Sequence, residues 1–358
     1  MRAWSGINVS GWFRVLWRNR FAVSPSRIPM ALILTGLSGL HTSLGMLQSL
    51  IYGRRIRQTR LVDDPIFVLG HWRSGTTLLH ELLVRDPQHT FPDTYACFAP
   101  NDFLLTERFL KPLVTQLLPG RRPMDDMAVA WDRPQEDEWA LCNLGLPSPY
   151  LTIMFSNRAP QDSAYLDLRG VSPAARRFWQ QRLLWFLKCL TLRQPGRIVL
   201  KTPLHTFRVP VLLEQFPRAR FVHIARDPFA IFPSMLHTWE RMYRYHGLQV
   251  PRLQGLESYV LKTFSHMYRV FEEDVPQIPA DRFCEVRYED LTREPMAEMQ
   301  RIYDRLQLVA SEATRAGWRD YAEQAAGYRP NRYQVTPEQR QKIVAHWSGY
   351  LEKYGYAP

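Results

Sequence analysis

A short apolar run, a glycine-flanked loop and a second apolar run constrain this chain more than any other feature. Residues 65–83 read PIFVLGHWRSGTTLLHELL, and Gly70 and Gly75 bracket four residues between the two runs. The first run predicts a buried strand over Ile66–Leu69, and the second predicts a helix over 75–84. Backbone N–H groups of such a loop, together with those at the start of the helix, point at an anion. The segment therefore predicts a phosphate-binding loop.

Three more short runs, each rich in β-branched or aromatic residues and bounded by turn residues, predict further strands of the same sheet. Helical patterns at 206–215 and 228–239 follow two of them. This alternation of strand and helix is typical of doubly wound α/β folds, whose ligands bind at the carboxyl ends of the strands. The predicted strands are Arg197–Lys201, Arg220–Ala225 and Phe283–Arg287.

A long insertion and an N-terminal appendage complete the predicted fold. Residues 91–193 separate the first strand from the second and contain helical patterns near 136–143 and 173–192. We expect this insertion to bind the substrate that varies most between related proteins. The prediction is an α/β fold with a P-loop-type parallel sheet flanked by helices, a helical insertion and an N-terminal helical appendage. The expected division is an N-terminal helical segment over 1–62 and a main domain over 63–358.

The cation of the predicted phosphate loop is an arginine inside the loop. A P-loop nucleoside triphosphatase carries a lysine where this chain has Thr76, and the positive charge comes instead from Arg73, three residues earlier. The sequence RSGTT at 73–77 thus weakens the interpretation of a metal-dependent kinase acting on a small molecule, which stays the alternative. Two threonines at the start of the helix strengthen the interpretation of an anion site.

A second segment carries another arginine and a serine at a defined spacing. RFVHIARDPFAIFPSML, over 220–236, predicts a strand, a turn at Asp227, and a helix with Ser234 eight residues after Arg226. Arginine offers a fork of donors to phosphate oxygens and serine offers a hydroxyl donor. Taken alone, Arg226 could form an ion pair with Asp227, and Ser234 could be an ordinary serine on the surface of a helix.

Together and in this order, the two segments resemble the nucleotide-binding elements of sulfotransferases that use 3′-phosphoadenosine 5′-phosphosulfate (PAPS). Arg73, Ser74, Gly75, Thr76 and Thr77 reproduce without gaps the loop that binds the 5′-phosphosulfate end of the donor in that family. A strand-end arginine and a serine on the next helix bind its 3′-phosphate, and Arg226 and Ser234 match them. The resemblance runs from about residue 65 to the C-terminus.

Membership of this family implies a reaction and its co-substrate. The enzyme would move the sulfuryl group of PAPS to a hydroxyl or amine of an acceptor, and no metal would take part. Two further segments are similar to parts of the family that border the nucleotide, although each is equally compatible with a structural turn. VRYEDLTREP, over 286–295, presents Tyr288, and GYRPNRYQVT, over 327–336, presents Arg329, Asn331 and Tyr333.

Lys201 ends the predicted strand RIVLK, where a doubly wound sheet presents functional groups. It resembles the lysine that stabilises the leaving oxygen of the donor in this family. Members that act on small phenols and steroids have a histidine two residues later, whereas this chain has Pro203. The chain therefore looks closer to the bacterial and Golgi-type branch, in which a carboxylate usually serves as the general base.

Several side chains are candidates for that base. The segment PQEDEWAL offers Glu136 and Glu138 at the start of a predicted helix, where acidic residues are also common because they complement the helix dipole. His205 is the second choice because it lies close to Lys201 in the sequence. Asp93 is the carboxylate that follows the helix of the phosphate loop, as in the tyrosylprotein and heparan sulfate branches.

The formal net charge of +12 and the pI of about 9.7 fit an anionic small molecule, an anionic lipid surface or a polyanion. Residues 31–52 are apolar and long enough to cross a bilayer of roughly 30 Å. Arginines flank both ends, and Thr, Ser, Gly, His and Gln dilute the run. We favour an amphipathic helix that packs on the domain or lies on a membrane surface, with a true span as the alternative.

The expected partners are the nucleotide donor and an acceptor that is a carbohydrate, a lipid or a small molecule, with no nucleic acid. A basic, membrane-peripheral binding protein without catalysis is a further alternative. Four widely spaced cysteines indicate free, mostly buried thiols, and hence a cytoplasmic location with attachment to a membrane as an open question. The sequence indicates no oligomeric state.

Overall fold

The computed structural model describes residues 2–115, 130–325 and 334–357. The chain divides into two compact units. The first unit comprises Met1–Val62, Phe91–Gly196 and Trp239–Gln254, and the second comprises Asp63–Thr90, Arg197–Thr238 and Gly255–Pro358. The N-terminal segment and the long insertion thus belong to the same unit. The expected domain boundary at residue 62 stays a prediction.

Five strands form the sheet of the second unit, in the order β2-β3-β1-β4-β5, and each neighbouring pair is parallel. All four predicted strands are confirmed with the same ends. β2 was not predicted, because two residues are too few to show a pattern. The strands are β1 (Ile66–Leu69), β2 (His89–Thr90), β3 (Arg197–Lys201), β4 (Arg220–Ala225) and β5 (Phe283–Arg287).

Fourteen α-helices occur in the described parts of the chain. They are α1 (Val9–Arg18), α2 (Ile28–Gln58), α3 (Thr76–Leu83), α4 (Thr94–Phe98), α5 (Phe103–Thr115), α6 (Asp137–Asn143), α7 (Pro173–Arg193), α8 (Val209–Gln215), α9 (Pro228–His246), α10 (Leu256–Asp274), α11 (Tyr288–Arg293), α12 (Pro295–Arg305), α13 (Glu312–Ala325) and α14 (Pro337–Tyr354). The predicted helix over 206–215 is shorter, because a 3₁₀ turn at Pro203–Phe207 precedes α8.

The core of the second unit explains why β1 is a continuous apolar run in the sequence. All four residues of β1 are buried, since helices cover a parallel sheet on both faces. On one face, α3, α12 and α13 contribute a cluster in which Leu79, Ile302 and Trp318 pack with Val222 of β4. Burying this apolar surface is the main favourable contribution to folding of the unit.

The first unit is helical in its described residues, and α2 is its longest helix. α2 packs against α1, α5 and α7, and α4 packs against α6. Within the described chain, the segment Pro25–Gln58 is the helical stretch that is long and apolar enough to cross a membrane by length and composition, and 17% of its most apolar window is buried. All four cysteines are free and buried, as the sequence predicted.

Candidate active site

The loop between β1 and α3 adopts a backbone that needs both of its glycines. Gly70 has a φ of +140°, and a Cβ atom there would lie 2.7 Å from the carbonyl oxygen of Ile224. Gly75 has a φ of +103° and begins α3 as its N-cap. These conformations are accessible to glycine and costly for other residues. The two glycines therefore set the path of the loop around an anion site.

Hydrogen bonds within the loop hold its turn closed. The backbone N–H and the hydroxyl of Ser74 both donate to the carbonyl oxygen of His71, at 3.1 and 2.8 Å. Nδ1 of His71 donates to the carbonyl oxygen of Trp72 at 2.9 Å. Burial lowers the pKa of His71 to about 3, so its ring is neutral near pH 7. The Ser74 side chain thus supports the loop, and its role in binding the nucleotide stays a prediction.

Thr76 and Thr77 open α3 directly after Gly75, as predicted. The first N–H groups of a helix have no partner within the helix, and they carry its positive dipole end. Thr76 is buried and Thr77 is partly exposed. The start of α3 therefore presents donors suited to phosphate or sulfate oxygens.

The structure brings the two predicted arginines to the same loop. Nε of Arg73 donates to the hydroxyl oxygen of Ser234 on α9 at 2.9 Å. Nη1 of Arg226 donates to the carbonyl oxygen of Arg73 at 2.8 Å. Arg73 itself has a φ of +68°, an uncommon value for a residue other than glycine. Residues more than 150 positions apart in the chain thus form one basic cluster.

The Tyr288 ring contacts both Arg226 and the start of α3. The Cζ atom of Arg226 is 4.1 Å from the centroid of the Tyr288 ring, a cation–π contact. A Cβ atom on Gly75 would lie 2.3 Å from Cδ2 of Tyr288. The ring therefore packs directly under the N-cap of α3, and it orients the Arg226 guanidinium.

Residues near the C-terminus form hydrogen bonds with the backbone around Arg226 or with its partner Glu289. The sequence did not predict these contacts. The Tyr350 hydroxyl accepts from the Arg226 N–H at 3.0 Å and donates to the Arg226 carbonyl oxygen at 2.9 Å. The next N–H, of Asp227, donates to Oε1 of Glu289 at 3.0 Å, and the Tyr356 hydroxyl donates to Oε2 of the same carboxylate at 2.9 Å. No local sequence signal links residues 124 positions apart.

Lys201 and His205 flank the same edge of the sheet. Lys201 ends β3 opposite Val68 of β1 and is buried, with 3% exposure. His205 is fully buried in the following 3₁₀ turn, where its ring meets the Phe67 ring edge-on at 5.0 Å. One residue later, the Thr206 hydroxyl oxygen accepts from the Gly70 N–H at 2.8 Å. A hydrogen bond therefore connects the turn after β3 to the start of the phosphate loop.

The predicted carboxylates Glu136 and Glu138 lie in the first unit. Glu136 is the N-cap of α6 and is partly exposed, and its Oε2 accepts from the Tyr150 hydroxyl at 2.5 Å. Glu138 is fully buried, and its Oε1 accepts from the Ser148 hydroxyl at 2.6 Å. Both carboxylates thus have a hydroxyl partner from the segment that follows α6.

Asp93, the other carboxylate considered as a base, is engaged in supporting the first unit. Its Oδ1 caps α4 by accepting from the Ala96 N–H at 2.8 Å, and its Oδ2 forms an ion pair with Arg193 at 3.0 Å. Burial raises the pKa of the Asp93 carboxyl, while the charge of Arg193 opposes that rise. These contacts give Asp93 a structural role, and its role as a base stays a prediction.

The remaining predicted contacts, Arg329, Asn331 and Tyr333, lie outside the described residues. Among the residues that the structure describes, no group of three or more His, Cys, Asp or Glu side chains is placed to hold a metal ion. The second unit thus presents two arginines, a serine hydroxyl, a helix start and an aromatic ring around one loop. This set suits a ligand that carries several phosphate or sulfate groups.

Comparison with known proteins agrees with this chemistry. The profile of a group described as the sulfotransferase family matches residues 65–312. The chain belongs to the sulfotransferase family. It is 46% identical over 353 residues to the omega-hydroxy-beta-dihydromenaquinone-9 sulfotransferase Stf3 of Mycobacterium bovis and to the protein of the same name from Mycobacterium tuberculosis, covering 99% of this chain and 91% of either relative.

Two solved structures of mycobacterial sulfotransferases have the same fold as this chain. The sulfotransferase STF9 from Mycobacterium avium superposes with a TM-score of 0.71 at 19% identity, covering 97% of this chain and 92% of that one. STF1 from Mycobacterium tuberculosis gives a TM-score of 0.61 at 18% identity, covering 94% of this chain and 92% of that one. The family match and the relatives with 46% identity set aside the kinase and the non-catalytic binding protein considered from the sequence. The family match ends before Tyr350 and Tyr356, the residues that hold the Arg226 segment.

Proposed function

We propose that this sulfotransferase uses PAPS as its donor and transfers the sulfuryl group to a hydroxyl of a lipid-like quinone. The observation that carries the donor is the cluster of Arg73, Ser234 and Arg226 around one loop. The acceptor rests on the relative with 46% identity, whose name specifies a hydroxylated dihydromenaquinone. A hydroxyl is a suitable acceptor, because its oxygen becomes nucleophilic when a base removes the proton.

We assign the two ends of the donor to different groups of the second unit. The start of α3 and Arg73 suit the 5′-phosphosulfate, because a helix start and a guanidinium both stabilise negative charge. Arg226 and Ser234 suit the 3′-phosphate, since the guanidinium lies beside the loop and the serine hydroxyl keeps its hydrogen for donation after accepting from Arg73. We assign Tyr288, which stacks on Arg226, to the border of the nucleotide site.

In the transfer step, the acceptor oxygen forms a bond to sulfur while the bond between sulfur and the 5′-phosphate oxygen breaks. We assign Lys201 to the charge that develops on that phosphate oxygen, since an ammonium group stabilises it electrostatically. The acceptor proton passes to a carboxylate, for which we propose Glu136 ahead of Glu138. Glu136 is partly exposed, whereas Glu138 is fully buried against Ser148. We rank His205, also fully buried, below both.

Calorimetric titration with adenosine 3′,5′-bisphosphate (PAP) tests the donor site. We expect micromolar binding by the wild type, and loss of most of that affinity in Arg73→Ala and in Arg226→Ala. Arg218→Ala is the matched control, because this arginine belongs to the same unit and 76% of its side chain is exposed. Equal affinity in the wild type and both cluster variants would contradict the donor assignment.

A sulfation assay tests the acceptor separately. The wild type is incubated with PAPS and either an omega-hydroxylated dihydromenaquinone or the same quinone without the hydroxyl, and the products are weighed by mass spectrometry. We expect a mass gain of one sulfuryl group with the hydroxylated quinone alone. Binding of PAP without any sulfated quinone would refute the acceptor while leaving the donor assignment in place.

A further inference from the structure

The helix α2 buries two polar side chains and exposes most of its large apolar side chains. Most helices of soluble domains turn an apolar stripe toward the core and a polar face toward water. In α2, the buried residues are Leu34, Ser38, Gln48 and Ile56, whereas most of the large apolar side chains are exposed. The exposed large apolar residues of the helix are Ile28, Leu32, Ile33, Leu40, Met46, Leu47, Leu50 and Ile51.

Polar contacts fix the inner face of α2 along the body of the first unit. The Thr35 hydroxyl oxygen accepts from the indole N–H of Trp12 at 2.9 Å, and Nδ1 of His41 lies 2.7 Å from a carboxylate oxygen of the buried Asp102. Oε1 of Gln48 accepts from a backbone N–H of α5 at 2.8 Å. Buried polar groups are costly to separate from such partners. The helix is therefore held along its length, and it lies on the unit.

The outward residues of α2 form a continuous stripe. The exposed leucines recur near the helical period, with Leu32 at 67% and Leu50 at 82% exposure. At 1.5 Å per residue, the stripe from Ile28 to Ile51 is roughly 35 Å long. Trp17 and Phe21, at the end of α1 and just after it, add exposed aromatic rings to the same N-terminal segment. Apolar patches of this length are uncommon on soluble proteins without a partner.

The charge of the segment identifies the partner. The first 62 residues contain nine arginines and no aspartate or glutamate. Arg20, Arg54 and Arg57 are exposed at the ends of the stripe. If the stripe packed against the stripe of a second copy of this chain, the arginines of the two copies would lie close together and repel each other. The surface of an anionic lipid bilayer instead combines an apolar interior with negative headgroups, which attract each basic residue near the surface.

We propose that the outward stripe of α2, with its arginine rim, docks in the plane of an anionic phospholipid membrane. The apolar side chains would enter the boundary between headgroups and acyl chains, while the arginines contact the headgroups. The polar contacts of the inner face stay intact, so α2 does not cross the bilayer. This inference rests on the N-terminal segment and holds whatever the acceptor is.

Sedimentation of the full chain with vesicles, without nucleotide or acceptor, tests the proposal. We expect strong binding to vesicles that contain phosphatidylglycerol and weak binding to pure phosphatidylcholine. Leu32→Glu/Leu50→Glu is expected to lower the partition coefficient by about tenfold or more, because both side chains would enter the apolar boundary. Val309→Glu/Gln341→Glu adds the same charge at exposed positions of the other unit and should retain binding to within about twofold.

Several results of the binding experiments would overturn the proposal. Equal binding of the wild type and the leucine variant, or no binding of the wild type to anionic vesicles, excludes the stripe as a membrane contact. Resistance of the wild type to extraction with alkaline carbonate indicates a spanning helix. A dimer in solution that the leucine variant dissociates would assign the stripe to a second copy. Unchanged PAP affinity in the leucine variant verifies that it is folded.

Discussion

Replacing Ser234 with alanine removes one hydroxyl from the basic cluster and leaves both arginines in place. The hydroxyl oxygen accepts from Nε of Arg73, so its hydrogen is directed to another acceptor, which we assign as the 3′-phosphate. A hydrogen bond to a charged group contributes about 1.5–3 kcal/mol. The expected loss of affinity for PAP is therefore roughly ten- to 150-fold.

Comparison of two nucleotides separates this role from a general weakening of the site. Adenosine 5′-monophosphate lacks the 3′-phosphate, so Ser234→Ala should change its dissociation constant by less than about twofold. The matched control is Thr238→Ala, one turn further along α9, where the hydroxyl donates to the Ser234 carbonyl oxygen at 2.7 Å. Calorimetry gives both dissociation constants for each variant.

An equal loss for both nucleotides would refute the assignment to the 3′-phosphate. It would show instead that Ser234 acts by positioning Arg73, which it contacts directly. No loss for either nucleotide would remove Ser234 from the site altogether. Only a loss confined to the bisphosphate supports the proposed division between the two ends of the donor.

Three further predictions concern the support of the site and its base. Tyr350→Phe removes the hydroxyl that bonds both backbone groups of Arg226, and we expect PAP affinity to fall about three- to tenfold by calorimetry, with little change in far-UV circular dichroism. Gly75→Ala should abolish PAP binding, because the new methyl group would meet the Tyr288 ring at a φ that alanine rarely adopts. Glu136→Gln should lower kcat by about 100-fold or more while PAP affinity is retained.

Each of these three predictions has a result that would contradict it. Wild-type PAP affinity in Tyr350→Phe would show that the Arg226 backbone needs no support from α14. Normal binding by Gly75→Ala would mean that the loop accommodates a side chain and is not shaped as described. Unchanged turnover in Glu136→Gln would transfer the role of base to Glu138, and then to Asp93 or His205.

For the N-terminal segment, the sequence pattern predicts a helix but not the orientation of its faces. An apolar stretch flanked by arginines predicts a helix near a membrane, but it does not say which side of the helix faces the protein. That side is selected by residues distant in sequence, such as Asp102 and the N–H of Leu104, which satisfy the polar groups of α2. The orientation of the stripe is therefore a tertiary property.

The sequence by itself determined four of the five strands and the phosphate loop. Short runs rich in β-branched or aromatic residues and bounded by turn residues predict strands, so β1, β3, β4 and β5 could be located to the residue. The loop could be located because positive φ values demand glycine at 70 and 75. Both requirements are local, because each restricts the residue types at a few adjacent positions.

Only the tertiary structure decided which distant groups act on that loop. Tyr350 bonds the Arg226 backbone across 124 residues, and Thr206 bonds Gly70 across 136. It also showed that the Ser74 hydroxyl is used inside the loop and that Asp93 is held by Arg193. A hydrogen bond depends on the distance between two atoms in space, and for these pairs the folded chain alone sets that distance.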